Sequence, residues 1–432
     1  MDLFDRGSKY AGNYSLEGDN KFPRIERLLE KYWQCKPEVD VERAVIYTES
    51  YKETEGENVL LRRAKAFKAY CEKREIKIPD YQLIVGDTAI NPRGGVVDPI
   101  FHCGWLSQEI DTISTRAQDP YILSEENKRV LKEEIFPYWK GKSVSEYWIK
   151  QIPPHVKELA VKTGIIDVEI KTQRAAEETA PDWEMLDGKG LGKMKQEARK
   201  EIERRDETDP EDYQKTMFFR ASLLSLEGIS TYIKRFGEQA AVDAQNAGGD
   251  RKEELKEIAA NCEWMAENKP ETFWQGLQYI YFLLVGCLME GNGPSYSPGR
   301  VDQYLYHLYD NDITGGKLTQ EKALELIEAF YVKTAETTWF LSENACMYFA
   351  GYQPFQSIIV GGVDKHGLDA TNELSYLFIT AKMDVRLHSP SLCTRVHKQS
   401  PEDFIYHMAK LVRMGTGFPA IYNDEVAIKM ML

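Results

Sequence analysis

Apolar residues recur at helical spacing through the first part of the chain. Ile25, Leu28, Leu29 and Tyr32 fall at i, i+3, i+4 and i+7, the stripe of one helix face. The same period runs from Glu42 to Glu72 with a break near Gly56, so the chain to about residue 160 is predicted to be mainly helical. Residues 82–86 (QLIVG) form a short apolar run closed by Gly and followed by Asn91-Pro92-Arg93-Gly94-Gly95. That pattern predicts a strand or extended segment ending in a tight loop. Apolar and polar residues alternate over 166–171 (IDVEIK), the period of a half-buried strand, and a polar loop follows. Residues 189–268 are charge-rich and helical, with Phe218, Leu223, Leu226 and Ile229 supplying the apolar spacing. Two apolar helices are predicted at 271–290 and 319–341. Strand and helix then alternate over 356–362, 372–383, 391–397 and 401–414. Ser400-Pro401-Glu402-Asp403 predicts a helix start with a capping hydroxyl, Pro at the first position and acids in the first turn. Asp424 is the predicted N-cap of a last helix that carries Val426, Ile428, Met430, Met431 and Leu432. A helix so short is marginal alone, and an apolar end without a C-cap predicts that the chain is truncated.

Length and composition narrow the class. At roughly 150 residues per domain, 432 residues allow about three domains, or one large α/β unit with a helical flank. A hydrophobic fraction of 42% with 29% charged residues excludes a disordered chain, a collagen-like chain and a small stapled scaffold. Acids outnumber bases by 69 to 55, so no net attraction draws the chain to nucleic acid or anionic lipid, and neither is an expected partner. The seven cysteines show no C-x-x-C pair and are read as reduced thiols. The polar N-terminus has no apolar signal region, and the strongest apolar run, 279–289, is too short to cross a bilayer. A soluble, cytoplasmic protein is expected.

Candidate chemistry is sparse in the residues themselves. The loop after the apolar helix, within 286–300, is rich in Gly, Pro and Ser; such residues let backbone approach a ligand, although a helix C-cap and turn explain it as well. Phe355 stands at the mouth of the 356–362 strand among Tyr348, Phe349 and Tyr352, either as a pocket wall or as core. Glu177 and Glu178 follow a strand end; facing a cavity beside aromatics they suit a cationic group. The seven histidines show no metal-ligand spacing, and no metal site is expected. A nucleophilic pair of Cys393 with His388 or His397 is conceivable, but a cysteine inside a strand is normally inert. Walker, GxGxxG and GxSxG motifs are missing.

Eight segments together carry a resemblance. They are 48–56 (TESYKETEG), 61–67 (LRRAKAF), 83–86 (LIVG), 297–304 (SPGRVDQY), 359–363 (IVGGV), 369–376 (DATNELSY), 390–392 (PSL) and 417–425 (GFPAIYNDE). In this order the chain from about residue 24 resembles the N-terminal half of a glycyl radical enzyme of the pyruvate formate-lyase superfamily. Within it the chain is similar to the eliminating branch, notably choline trimethylamine-lyase and the B12-independent diol and glycerol dehydratases. The resemblance implies an α/β fold: a helical N-terminal part plus the first half of a ten-stranded α/β barrel, made of two antiparallel half-barrels. It implies a flexible arm over 1–23 and one pyruvate formate-lyase-like domain over 24–432 that lacks the thiyl-Cys loop and the glycyl radical domain.

In that family a buried glycyl radical stores the unpaired electron, and a Cys in Gly-Cys-x-Glu forms the thiyl that abstracts a substrate hydrogen. The adjacent Glu acts as base, and the barrel excludes water and oxygen. None of the seven cysteines lies in such a motif. The family's loop comes shortly after the helix that begins here at Asp424, so the thiyl Cys, base Glu and radical Gly are expected beyond Leu432. No catalytic residue is therefore expected in this chain, which should be inactive by itself. The resemblance further implies an S-adenosylmethionine/[4Fe-4S] activating enzyme as partner, a homodimer when full length, and a cytoplasmic place that includes bacterial microcompartments.

Substrate-side positions follow from the same resemblance. Phe355 matches the pocket aromatic of the choline lyase, and Glu178, or Glu177, falls near its pocket Asp; an acid with aromatics favours an amine-bearing substrate. Ser295 matches the dehydratase pocket Ser. The neighbouring His of those enzymes is Pro294 here, and their other pocket His aligns near Glu178, which argues against diol or glycerol dehydration. Gln173 falls near a polar pocket residue of isethionate sulfite-lyase. That enzyme's sulfonate-binding Arg meets Glu169 or Ile170, with Arg174 as a replacement. The expectation is the N-terminal portion of a C–X lyase that cleaves the C–N bond of choline or a similar amino alcohol. The alternatives are an isethionate-type C–S lyase, a diol or hydroxyproline dehydratase, and a non-catalytic scaffold or decayed fragment.

Overall fold

A computed structural model describes residues 22–165, 172–173, 181–183 and 188–432. The first helix, α1 (Pro23–Gln34), has Pro at its start and buries Ile25, Leu28 and Tyr32, the stripe its spacing predicts. α2 (Glu42–Glu53) and α3 (Val59–Lys73) follow, the second capped by Asn58, whose side chain accepts from the Leu60 amide. α4 (Pro99–Glu109) starts the same way on Asp98 and Pro99. The charge-rich region holds α5 (Leu191–Glu203), the 37-residue α6 (Pro210–Asn246) and α7 (Gly249–Met265). Gly228 lets α6 lie against α3: a Cβ there would stand 3.0 Å from the Lys68 Cα. Phe218, expected on the apolar face, is 56% exposed, because the buried stripe of α6 runs instead through Ile229, Ile233, Phe236 and Ala240.

Two helices form the centre. α8 (Phe273–Gly291) is buried on nearly every side, as is α9 (Gln320–Ala335). α9 stops at Ala335, not 341; residues 338–342 are non-helical, and the short α10 (Glu343–Cys346) begins on the Ser342 cap. The extended run at 82–86 joins no ladder. The Gln278 side chain replaces one, donating to the Val85 carbonyl and accepting from its amide, each at 2.7 Å. The alternating segment 166–171 lies outside the described residues.

The C-terminal part is βαβ. A two-residue parallel pair, β1 (Val39–Asp40) with β2 (Gly95–Val96), belongs to the helical part. β3 (Ser357–Gly361), β4 (Ser391–Val396) and β5 (Ala420–Asn423) form a parallel sheet in that order. The crossovers run through α11 (Glu373–Val385) and α12 (Glu402–Arg413), as parallel neighbours require. α12 begins one residue later than predicted: Pro401 is its cap residue, and the Ser400 hydroxyl accepts from the His397 amide instead. At the last helix, α13 (Asp424–Met431), the cap is Asn423 rather than Asp424. Asp424 is drawn inward, where its carboxylate holds Arg395 at 2.6 and 2.9 Å and the Val363 amide at 2.8 Å. All four residues of β5 are exposed.

Candidate active site

α8 ends where Asn292 turns left-handed, its φ of 45° and its amide bonded to the Leu288 carbonyl marking the cap. The loop that follows therefore is a helix C-cap and turn, and it also meets a second turn. The Ser295 amide donates to the Pro354 carbonyl at 2.5 Å, which puts Ser295 beside Phe355. Backbone strain concentrates at this meeting. Asn292, Ser295, Tyr352 and Phe355 are four of the eight non-glycine residues with positive φ among the described residues. Each such residue costs about 1–3 kcal/mol and persists only where its surroundings over-determine it.

Phe355 is 42% exposed, with its ring edge-on to Trp339 (6.1 Å) and Phe349 (5.6 Å). One ring is thus presented while two others hold it, an arrangement that offers a π face to a cation. Gln173 reaches the same place from a different part of the chain and is fully buried. Its carbonyl accepts from the Asn292 amide at 2.9 Å, while its own amide is clasped by Ser342: Nε2 donates to the hydroxyl (2.9 Å) and Oε1 accepts from the backbone (3.0 Å). The structure thus sets Ser295 beside Phe355 and ties Gln173 to Asn292, three residues before Ser295, with Gln173 engaged to the protein at both ends of its amide. Glu177, Glu178 and Arg174 lie outside the described residues.

Sequence reasoning missed the charged group beneath these loops. Arg43 and Asp98 are buried and ion-paired at 2.6 Å. Asp98 caps α4, accepting from the Ile100 amide at 2.9 Å, and its own backbone nitrogen lies 2.9 Å from His102 Nδ1. His102 Nε2 lies 2.6 Å from the Asn292 amide nitrogen. Burial, and then the Arg43 guanidinium, push the His102 pKa well down, against a bond to the Val96 backbone, so the imidazole is neutral. Burial raises the Asp98 carboxyl, with Arg43 and Arg63 opposing. Nothing in the sequence spacing linked Arg43, Asp98 or His102 to Asn292. A cavity of about 20 Å³, large enough for one water, lies between Arg43, Thr88, Val96, Asn292 and Thr338.

The Cys393 pair does not form. His388 Nε2 faces Gln353 and His397 faces Asp369, while burial raises the Cys393 thiol, as expected of an inert one. A larger cleft of about 370 Å³, lined by Trp183, Tyr279, Cys287 and Tyr296, contains none of the expected site residues among the described residues and is mostly apolar. No group of three or more His, Cys, Asp or Glu able to hold a metal occurs among the described residues.

Comparison with known proteins bears on this arrangement. The family described as Pyruvate formate lyase-like matches residues 16–432. The isethionate sulfite-lyase of Oleidesulfovibrio alaskensis is 34% identical over 417 residues, covering 94% of this chain and 50% of that protein. The (2S)-3-sulfopropanediol dehydratase of Klebsiella oxytoca is 30% identical over 435 residues, covering 99% and 52%. A solved structure concerned with 1,2-propanediol dehydration in Roseburia inulinivorans superposes with a TM-score of 0.91 at 36% identity, covering 95% of this chain and 51% of that one. The chain spans about half the length of the relatives it matches.

Proposed function

This chain belongs to the pyruvate formate lyase-like family, and from that premise we propose that it is the N-terminal half of a glycyl radical lyase that eliminates a leaving group from a small hydroxylated substrate, choline foremost. The observation that carries the reading is the presented ring of Phe355, set against Ser295 by the 2.5 Å bond between their loops. A trimethylammonium group is a diffuse cation without hydrogen-bond donors, and an aromatic face is the surface that recognises it. In the whole enzyme the radical chemistry supplies hydrogen abstraction and return. The residues of this chain orient the substrate and keep water away. Choline would then give trimethylamine, acetaldehyde and a proton.

A second reading keeps the elimination and changes the leaving group to sulfite. It is supported by the similarity to isethionate sulfite-lyase and to the sulfopropanediol dehydratase. One experiment separates the two. The complete enzyme is expressed anaerobically with its S-adenosylmethionine-dependent activating enzyme, and the paramagnetic resonance spectrum is recorded. Trimethylamine from choline and sulfite from isethionate are then assayed. A glycyl doublet with trimethylamine supports the first reading, and a doublet with sulfite the second. No doublet under conditions that activate a relative favours a non-catalytic scaffold. Phe355→Ala removes one cation–π contact of about 1 kcal/mol, so kcat/KM for choline should fall about fivefold; Glu178→Gln should lower it too. Unchanged kinetics in both variants removes the choline assignment.

A further inference from the structure

Asn292 has two separable tasks. Its backbone caps α8 in the left-handed region, which any residue able to adopt positive φ can do, glycine best of all. Its side chain does something the cap does not need. The residue is 8% exposed; its amide nitrogen donates to the Gln173 carbonyl at 2.9 Å and lies 2.6 Å from His102 Nε2. The Gln173 carbonyl takes one amide hydrogen; His102 Nδ1 accepts the Asp98 backbone N–H, so the Nε2 approach is a close polar contact and not a second acceptor. Three residues on, the Ser295 amide bonds the Phe355 turn, with positive φ on both sides, and beyond it Ser297 is held by the Ser357 amide on its hydroxyl and the Trp183 indole on its carbonyl. Beside Asn292 and Gly293 lies the cavity of about 20 Å³.

We infer that Asn292 is a positioning residue of the substrate site: its amide, fixed by His102 and by the Gln173 carbonyl, locks the loop bearing Ser295 against the Phe355 turn. Substrate affinity, rather than the rate of the chemical step, depends on that lock. His102 is the rigid end of the device. Its ring stands edge-on to Phe340 (5.2 Å) and Trp105 (5.7 Å), and its Nδ1 accepts from the Asp98 backbone N–H at 2.9 Å, which fixes the ring. The inference rests on the proposed substrate site and assigns it a residue that touches no substrate.

Asn292→Gly tests it cleanly, because glycine preserves the cap while deleting the amide. A residue that is only a cap would show unchanged or higher stability and unchanged binding in this variant. The lock predicts a roughly tenfold higher Kd for choline or isethionate, measured on the complete enzyme before activation. After activation KM should rise by a similar factor, with kcat held within about twofold. Hydrogen exchange reads the loop whatever the substrate: amides of 293–297 should exchange at least tenfold faster while those of α8 keep their protection. His102→Phe, which retains the ring contacts but loses the polar contact with Asn292, should move exchange and Kd in the same direction by less. Unchanged loop exchange in Asn292→Gly overturns the inference. If the wild-type enzyme binds neither compound but the loop exchange rises as stated, the substrate reading fails and the lock stands.

Discussion

Replacing Asp98 by Asn tests the charged group under the site loops. The Arg43–Asp98 side chains are 2% and 0% exposed, so the change leaves a guanidinium in the interior without its counter-charge. Breaking a buried pair by removing one partner costs about 3–5 kcal/mol. Two features place this case at the lower end. Asn retains an oxygen that can cap α4 at the Ile100 amide, and Arg43 keeps contacts to the Leu288 and Glu290 carbonyls and the Tyr47 hydroxyl. Those contacts are long, 3.3–3.4 Å, and recover little. We expect a loss of about 3 kcal/mol for Asp98→Asn, and about 1 kcal/mol more for Asp98→Ala, which also deletes the cap. Native-state hydrogen exchange of α4 amides in the complete enzyme measures this without a reversible global melt. A 3 kcal/mol loss appears as roughly 150-fold faster exchange. Adding Arg43→Met to Asp98→Asn should recover part of the loss, because the orphaned charge is gone. A loss below about 1 kcal/mol, or a double variant worse than the sum of the singles, refutes the reasoning.

Two further outcomes follow from single observations. Lys382 is buried with its amine on the Leu387 and Pro390 carbonyls, 2.5 and 2.7 Å away, and burial pushes its pKa from 10.5 down to about 7. Between those values the unfolded chain holds a proton that the folded one lacks, so stability rises with pH above 7 by up to ~1.4 kcal/mol per unit; Lys382→Met should flatten that slope in exchange or melting measured from pH 6 to 9. The second outcome concerns β5, whose residues are all exposed, next to Val426, Met430, Met431 and Leu432, which are more than half exposed. The 432-residue chain expressed by itself should self-associate in sedimentation, and Ile421→Lys with Met431→Lys should weaken this several-fold; a monodisperse, cooperatively melting monomer sinks the prediction.

Periodicity carried most of the architecture. α8, α11 and α12 follow from apolar spacing within one to three residues at each end, and α1 buries the stripe that its spacing marks. It failed where a polar side chain from afar did the work of a local element. Residues 82–86 look like a strand, but their ladder partner is the Gln278 amide, almost two hundred residues away. Asp424 looks like a cap and is instead the counter-ion of Arg395, a pairing set by the β4–β5 register. The site divides in the same way. Ser295 and Phe355 came from the family resemblance, and Gln173 with them. His102, Asn292 and Ser342 were not legible, since each contact among them spans more than a hundred residues.

The buried arginines show why the helical part belongs to the site. α8 ends with carbonyls that no further turn of helix satisfies, and a helix C-terminus carries partial negative charge. Arg43 from α2 donates to the Leu288 and Glu290 carbonyls, and Tyr47, one turn on, to that of Met289. Arg63 from α3 donates to the Glu290 carbonyl at 2.6 Å and pairs with its carboxylate. Two guanidinium groups and a phenol from two helices thus pin the last turn of α8, one residue before the backbone turns left-handed at Asn292. The strained loop can hold Ser295 against Phe355 only if its origin does not move. The Asp98 carboxylate then fixes Arg43 while its own helix, α4, carries His102 to Asn292. One ion pair therefore secures the start of the loop on one side and the His102 ring that meets the Asn292 side chain on the other. That is why its loss should be felt at the proposed substrate site as well as in stability.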